Sequence, residues 1–589
     1  MKRIAIYCIA FLFASPAFSQ YYLRGSVRDQ KNVPLSGAQI FVHSIRTYYN
    51  TGAYGGFGFP VNKLYDSLTI TMDGYEPRTM RIKTDVWQDI VLRISVATEN
   101  KNKPKLISVT KDLKQDNRFS LSISNETYFQ LVENQFVKAS EYPNTGFSLN
   151  VNKASYSNVR RFLNMRSIVP PDAVRVEEMV NYFNLHTQSV PGNDLFALNS
   201  QLTSCPWNAA QQLLLLEVNA RRVPLENIPP SSFVFLIDVS GSMDMPNKLP
   251  LLQAAFQSFI TNLRDIDTMS IVTYGGSVNV WLPPTGGANK EKIRRAVETI
   301  APGGDTPGEA GIRAAYQLAK SSFIPNGNNR VILATDGDFN VGESSERALD
   351  ELITQERQSG VYLTCLGVGV GNFKDSKLQT LAKKGNGNYA YLDDIQEAEK
   401  VLVKELTQTL YSVADNVAMN VRFNPALVKT YRLIGFDNKK DALQDASTGL
   451  EGGEIGSGSN TVAIFEIEPT DLNVMSRYQP FIDSLAVIEL QYSLCQDTSV
   501  NIIRKVIPHN YIAIDSIPNA YGLAATITAF GLKLRSSPAT KNYPWQTVKE
   551  QAMKYVDKND YLQQELISQI DKAIAIYDPG KKKKKKKRI

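Results

Sequence analysis

Three patterns in this 589-residue sequence predict a multidomain α/β plus all-β protein. Its centre is a doubly wound, Rossmann-like domain inserted in a β-sandwich, behind a smaller N-terminal β-sandwich. First, residues 231–412 alternate short apolar runs with segments of helical spacing, as a parallel sheet covered on both faces requires. Second, strand-like runs stand on both sides of that stretch, two before and five after. Neither group makes a good sheet alone, and seven strands together suffice for a sandwich. Third, residues 20–95 carry short alternating strands separated by Gly, Pro, Asn and Asp. A chain this long exceeds one hydrophobic core and implies three or four domains.

From the N-terminus, Lys2 and Arg3 precede an apolar run over 4–14, and Ala17 and Ser19 stand just before Gln20. That is the pattern of a secretory signal, 1–19. The remainder is therefore expected to be exported, to the periplasm, the outer membrane or the cell surface. Cys8 lies inside the apolar run without a lipobox around it. No later run reaches the roughly 18 apolar residues of a membrane helix, so no transmembrane segment is expected.

Residues 20–95 include the strand-like runs 23–29, 33–42 and 68–75. They resemble the carboxypeptidase regulatory-like domain, which implies a transthyretin-like sandwich serving as a docking module or a spacer. The segment 48–56 departs from that family's usual Asp-x-x-Gly turn. Residues 96–142 are polar and read as a linker with room for a helix at 125–140. Residues 143–230 precede the α/β domain and contain the first sandwich strands, 195–202 and 212–219.

Within 231–412, helices are expected at 249–263, 290–300, 308–321, 345–359, 375–384 and 395–410. Strands are expected at 269–274, 331–335, 361–370 and 389–392 besides the run 233–237. The C-terminal domain, 413–578, supplies the sandwich strands 417–423, 429–434, 461–467, 485–492 and 502–507. Helices at 520–534 and 545–574 follow. A tail, 579–589, ends the chain.

The formal net charge of +7 misleads. Without Lys2, Arg3 and the eight basic residues of 581–588 the remainder carries −3. The basic character belongs to a self-repelling tail that could touch anionic envelope surfaces or simply be an unstructured end. No folded basic patch argues for nucleic acid. After signal removal Cys205, Cys365 and Cys495 remain, an odd count that leaves at least one thiol unpaired, with a Cys205–Cys495 bridge open. Cys365, in an apolar run, reads as a buried strand residue.

The chemistry concentrates in three segments. Asp238-x-Ser240-x-Ser242 follows the apolar run 233–237, Thr306 lies in a Gly-rich loop before a helix-spaced segment, and Asp336 closes the run 331–335. Ligands of open α/β sheets sit beyond the carboxyl ends of such strands. Carboxylates and hydroxyls are hard oxygen donors that suit Mg²⁺ or Mn²⁺ better than Zn²⁺. The competing reading is a set of helix caps and turn residues. Asp244 and Asp305 flank the motif and read as a helix-start and a turn residue. Thr335 and Gly337 read as shaping the loop.

This order resembles the metal-ion-dependent adhesion site (MIDAS) of von Willebrand factor A domains. The resemblance implies that Ser240, Ser242 and Thr306 ligate the metal. Asp238 and Asp336 would act directly or through water, and a partner protein's Glu or Asp carboxylate would complete the shell. Further segments resemble a bacterial subfamily of these proteins over residues 145–575. They include 147–164, 174–183, Cys205 to Asn208, 431–436, Gly453 to Gly456, 521–525 and 530–538. Asn150 to Lys153 stands where the subfamily carries an acidic Asp-Val-Asp-Thr start.

The function implied is metal-dependent protein–protein binding, adhesion or assembly. The alternatives are an envelope scaffold whose metal only stabilises, and a metal-dependent hydrolase. The hydrolase lacks an evident base: His43, His186 and His509 lie away from the three segments in sequence, and no HExxH or G-x-S-x-G occurs.

Overall fold

The computed structural model describes residues 21–93 except 31 and 73–74, and residues 121–578 except 124–125, 186, 305–307, 338–345, 370–372, 438–452, 471–483 and 496–498. The expected signal 1–19, Thr306, Asp305, His186, residues 94–95 of the expected N-terminal β domain, residues 96–120 of the expected linker and the basic tail lie outside the described residues. The chain divides into two compact units, residues 1–105 and 106–589.

The first unit is a two-sheet sandwich. Tyr21–Asp29 lies between Gly56–Val61 and Gln88–Leu92 in one sheet. Thr47–Asn50, Gln39–Val42, Tyr65–Thr71 and Arg78–Lys83 form the other. Alternation does the work: Phe57, Phe59 and Val61 point into the core while Gly56, Gly58 and Pro60 face out.

In the second unit, a six-stranded sheet runs in the order Ser277–Gly286, Thr268–Gly275, Ser231–Asp238, Asn328–Thr335, Tyr362–Val368, Tyr389–Leu392. All neighbours are parallel except the Ser277–Gly286 edge. Every residue of Ser231–Asp238 is buried. Phe233, Phe235 and Ile237 pack with Leu252, Phe256 and Phe259 on one face, and Val234 and Leu236 with Ile312 and Tyr316 on the other. Burial on both faces is why this strand is a continuous apolar run. Each such side chain contributes about 2 kcal/mol of apolar burial.

The flanking strands form the expected sandwich around this domain. One sheet is ordered Val137–Lys138, Val428–Ile434, Asn460–Pro469, Gln212–Ala220, Phe196–Ser204. The other is ordered Asn144–Ser148, Ser412–Phe423, Ser484–Leu494, Asn501–Pro508, with Gly453–Gly456 pairing to Ser412–Phe423. Thus the α/β domain interrupts a sandwich between Gln212–Ala220 and Ser412–Phe423. Where the chain enters and leaves it, Tyr411 meets Phe233 edge-on at 6.2 Å, and the Asn328 side chain donates to the Leu410 carbonyl at 2.8 Å.

A helical layer covers the outer face of the first sheet. Ala154–Asn164, Val176–Tyr182, Asn519–Leu534, Trp545–Tyr555 and Tyr561–Tyr577 share one core with Leu213, Leu215, Val462 and Ile464. The alternate residues Leu214, Leu216, Ala463 and Phe465 turn into the sandwich.

Three expectations need correction. The helix expected at 125–140 is absent; Glu126–Tyr128 and Val137–Lys138 are strands, and residues from 126 on belong to the folded body rather than to a linker. Tertiary pairing outweighs weak helical spacing here: the Asn134 amide donates to the carbonyls of Leu433 and Gly435 and holds the chain extended. The helix expected at 545–574 breaks after Tyr555, and Asp560 caps a second helix by accepting from the Leu562 and Gln563 N–H groups. The segment 395–410 is a short α-helix Ile395–Glu399, a π-helical stretch Lys400–Lys404 and a short α-helix Leu406–Leu410 rather than one regular helix. All three described cysteines are free thiols, so no Cys205–Cys495 bridge forms.

Candidate metal centre

Asp238 is the last residue of the central strand and is fully buried. Its Oδ1 accepts the Ser240 N–H at 2.9 Å. Its Oδ2 accepts the Thr335 hydroxyl at 2.9 Å and the Tyr274 hydroxyl at 3.4 Å. Burial pushes its pKa up to about 6; the hydrogen bonds from Ser240 oppose that rise and the charge of Asp336 adds to it. A desolvated carboxylate facing a second carboxylate is a place that favours a cation.

The chain turns after Asp238 through a short 3₁₀ segment, Gly241–Met243. This turn puts the Ser240 and Ser242 hydroxyls 3.1 Å apart. Ser242 Oγ donates to Asp336 Oδ2 at 2.9 Å. Asp336, buried, follows the adjacent strand Asn328–Thr335. Parallel pairing of the two strands therefore brings the two sequence-distant motifs to one end of the sheet. Ser240 is buried and Ser242 is exposed, so the group opens to solvent on its Ser242 side.

Octahedral Mg²⁺ with oxygens at about 2.1 Å has ligand–ligand edges of about 3.0 Å. The Ser240–Ser242 and Ser242–Asp336 separations match those edges. The residues present fit a small, hard divalent ion. Their hydroxyl character also explains why, among the described residues, no group of three or more His, Cys, Asp or Glu forms a metal cluster.

Four of the five expected site residues come together: Asp238, Ser240, Ser242 and Asp336. The fifth, Thr306, lies outside the described residues. The loop leading toward it is held against the motif, with Gly303 N–H donating to Val239 O at 2.6 Å and Gly241 N–H to Gly304 O at 3.1 Å. Gly304 has φ +88°, and a Cβ there would stand 2.5 Å from the Gly276 nitrogen, so only glycine fits. Thr335 shapes the loop as expected, since its hydroxyl also accepts the Gly337 N–H at 3.0 Å. Asp244 is exposed at the end of the 3₁₀ turn, while the helix starts at Leu249, so it is not a helix-start residue.

Sequence reading missed Tyr274 and Lys248. The Lys248 ammonium donates to Asp336 Oδ2 at 2.9 Å and to the Ser242 carbonyl at 3.0 Å. A lysine six positions after the motif carries no recognisable spacing signal, and only the fold shows where its side chain ends.

Comparison with known proteins agrees with this architecture. Residues 122–215 match the family described as von Willebrand factor, 233–405 the von Willebrand factor type A domain, and 408–576 the C-terminal region of the uncharacterized protein YfbK. Uncharacterized protein YfbK of Escherichia coli (strain K12) is 36% identical over 445 residues, covering 72% of this chain and 77% of that protein. Inter-alpha-trypsin inhibitor heavy chain H2 of Mus musculus is 30% identical over 203 residues; the match spans 33% of this chain and 21% of that much longer protein. Among solved structures, von Willebrand factor type A from Catenulispora acidiphila aligns with a TM-score of 0.35 at 16% identity, over 58% of this chain and 80% of that one.

Proposed function

The chain belongs to the von Willebrand factor type A family of the Escherichia coli protein YfbK, and from that footing we propose that it binds a protein partner through a divalent ion. Ser240, Ser242 and Asp336 would hold Mg²⁺ or Mn²⁺, with Thr306 as a further hydroxyl ligand and Asp238 behind them. Bound there, the ion supplies an electrophilic position for an Asp or Glu carboxylate of the partner. Asp238, anchored by Thr335 and Tyr274, orients the Ser240 backbone rather than facing solvent. Exposed Ser242 and Gly241 form the rim that a partner would meet. The observation that carries the reading is the convergence of three oxygen donors at a solvent-facing turn, with Ser242 Oγ 3.1 Å from Ser240 Oγ and 2.9 Å from Asp336 Oδ2.

The signal-like N-terminus supports an envelope location, and no helix among the described residues is long and apolar enough to cross a membrane. The sandwich at 21–93 would act as a docking module or spacer of the carboxypeptidase regulatory-like kind. We read the protein as a binder rather than an enzyme. Lys248 favours a second reading, a scaffold whose loops hold without the ion, because it already places a cation on Asp336.

Calorimetric titration of the protein with Mg²⁺ and Mn²⁺ tests the first reading. Binding in wild type and at least tenfold weaker binding in Ser240→Ala/Ser242→Ala is expected, together with metal-dependent capture of an acidic partner that a chelator reverses. Absence of binding in wild type would leave the scaffold reading.

A further inference from the structure

Lys248 reaches the metal centre from the residue just before the helix that follows the turn. It is buried and immediately precedes Leu249–Asn262, whose start fixes its backbone: Lys248 N–H donates to Met245 O at 2.9 Å, and Lys248 O accepts Leu252 N–H at 3.0 Å. Its stem passes Gly369, which has φ +90° and no side chain. A Cβ at 369 would stand 2.5 Å from Lys248 Cε and 3.1 Å from Cγ. The path is therefore built from two separate segments. The ammonium ends on both halves of the centre, the Ser242 carbonyl and Asp336 Oδ2.

Resting on the metal reading above, we propose that Lys248 is a resident cation of this centre: it holds Asp336 and the Ser242 turn in place before any divalent ion arrives, and it competes with that ion for Asp336. A buried ammonium on a carboxylate oxygen lowers what a second cation gains from the same oxygen, because the two positive charges repel at short range. Lys248 thus sets two properties at once. The turn keeps its arrangement without metal, and metal affinity is held down. An ion held weakly by neutral hydroxyls and a shared carboxylate retains more attraction for a carboxylate brought by a partner. Lys248 is a positioning and affinity-setting residue, not a ligand.

The test compares full-length wild type with Lys248→Gln, which keeps a hydrogen-bond donor without the charge, and Lys248→Arg, which keeps the charge. Mn²⁺ affinity is read by calorimetry and thermal midpoints with chelator and with saturating Mn²⁺. Lys248→Gln should bind Mn²⁺ at least tenfold more tightly, melt lower than wild type in chelator, and gain more from Mn²⁺. Lys248→Arg should stay within about threefold of wild type in affinity. Equal or weaker Mn²⁺ binding by a folded Lys248→Gln overturns the proposal while the metal reading stands, provided wild type binds and Ser240→Ala/Ser242→Ala does not. If no protein binds Mn²⁺, the metal reading falls and the competition falls with it. Should Lys248→Gln not fold even with Mn²⁺, Lys248→Met serves as the second neutral variant, and loss of folding in both with Mn²⁺ present counts against competition.

Discussion

Asp415 is a buried carboxylate on Ser412–Phe423, where the sandwich meets the α/β domain. Its Oδ2 accepts the Tyr362 hydroxyl at 2.8 Å, but its Oδ1 is buried without a hydrogen-bond partner among the described residues. Burial, reinforced by the nearby charge of Glu454, pushes its pKa up to about 6, against the pull of the Tyr362 bond and of Arg330. A raised carboxyl pKa means the folded state holds the proton more tightly than the unfolded chain. This contribution is favourable below the unfolded value near 4 and is lost as pH rises through 6. Asp415→Asn should therefore stabilise the protein at pH 8, by on the order of 2 kcal/mol, and make little difference at pH 4. Urea midpoints at the two pH values check this, and an Asn variant weaker than wild type at pH 8 would count against it. At this same scale the sequence pointed to the carboxylates and hydroxyls that the fold gathers at the end of the central strand, but not to what holds them. Asp238, Ser240, Ser242 and Asp336 are legible because short polar motifs end apolar runs. Tyr274 and Lys248 come from a neighbouring strand and a helix start, and only three-dimensional pairing brings them in.

Gly453–Gly456 is a short strand whose two glycines pack without any margin. A Cβ at 456 would stand 1.8 Å from the Gln408 carbonyl oxygen, and one at 453 would stand 1.9 Å from Asn150 Cβ. The strand is thus wedged between the end of the α/β domain and the segment after Asn144–Ser148, and its two ends fit there only without side chains. Gly456→Ala should cost about 3 kcal/mol, since the obstacle is backbone and cannot rotate away. The thermal midpoint of the variant measures it, and a loss under about 1 kcal/mol would mean the strand can move. Elements buried on both faces were the most legible: 231–238, 328–335 and 362–368 lie close to their expected bounds because continuous burial writes a continuous apolar run. The buried edge strand Tyr389–Leu392 also keeps its expected bounds, but exposed or short edge elements were not legible. Ser277–Gly286 exposes Val280 and Trp281 and carries Pro283 and Pro284, so its sequence lacks the apolar run of a central strand. Val137–Lys138 is too short to leave a period at all, and the segment before it kept Phe129, Val132 and Phe136 at helical spacing although all three remain exposed.

Across the second unit, the α/β domain is tied to its surroundings by buried and half-buried ion pairs rather than by chain connection alone. Arg330 meets Glu454 at 3.0 Å, Arg175 meets Asp375 at 2.7 Å, and Lys153 meets Glu405 at 2.9 Å. Arg160, on Ala154–Asn164, bridges three blocks at once. It donates to Asp393 at 2.8 Å and Glu397 at 2.8 Å in the α/β domain, and to Glu565 at 3.1 Å on Tyr561–Tyr577. Such pairs are weak evidence for net stability, because desolvation offsets their attraction. Removing one member is different, for it strands the others. Arg160→Ala would leave Asp393, Glu397 and Glu565 facing one another without their shared cation, at a cost of about 3–5 kcal/mol. Asp393 already has its pKa pushed up to about 7, by burial first and by neighbouring carboxylates, even with Arg160 opposing that rise. An inserted domain held by such pairs should melt together with the sandwich it interrupts. Scanning calorimetry of the wild type should accordingly show the α/β domain, sandwich and helical layer in a single transition. Arg160→Ala should split it, with the helical layer or the α/β domain melting first at a lower temperature. A variant that keeps one transition at the wild-type temperature would show that apolar contacts at the seam, such as Tyr411 on Phe233, couple the domains without the arginine.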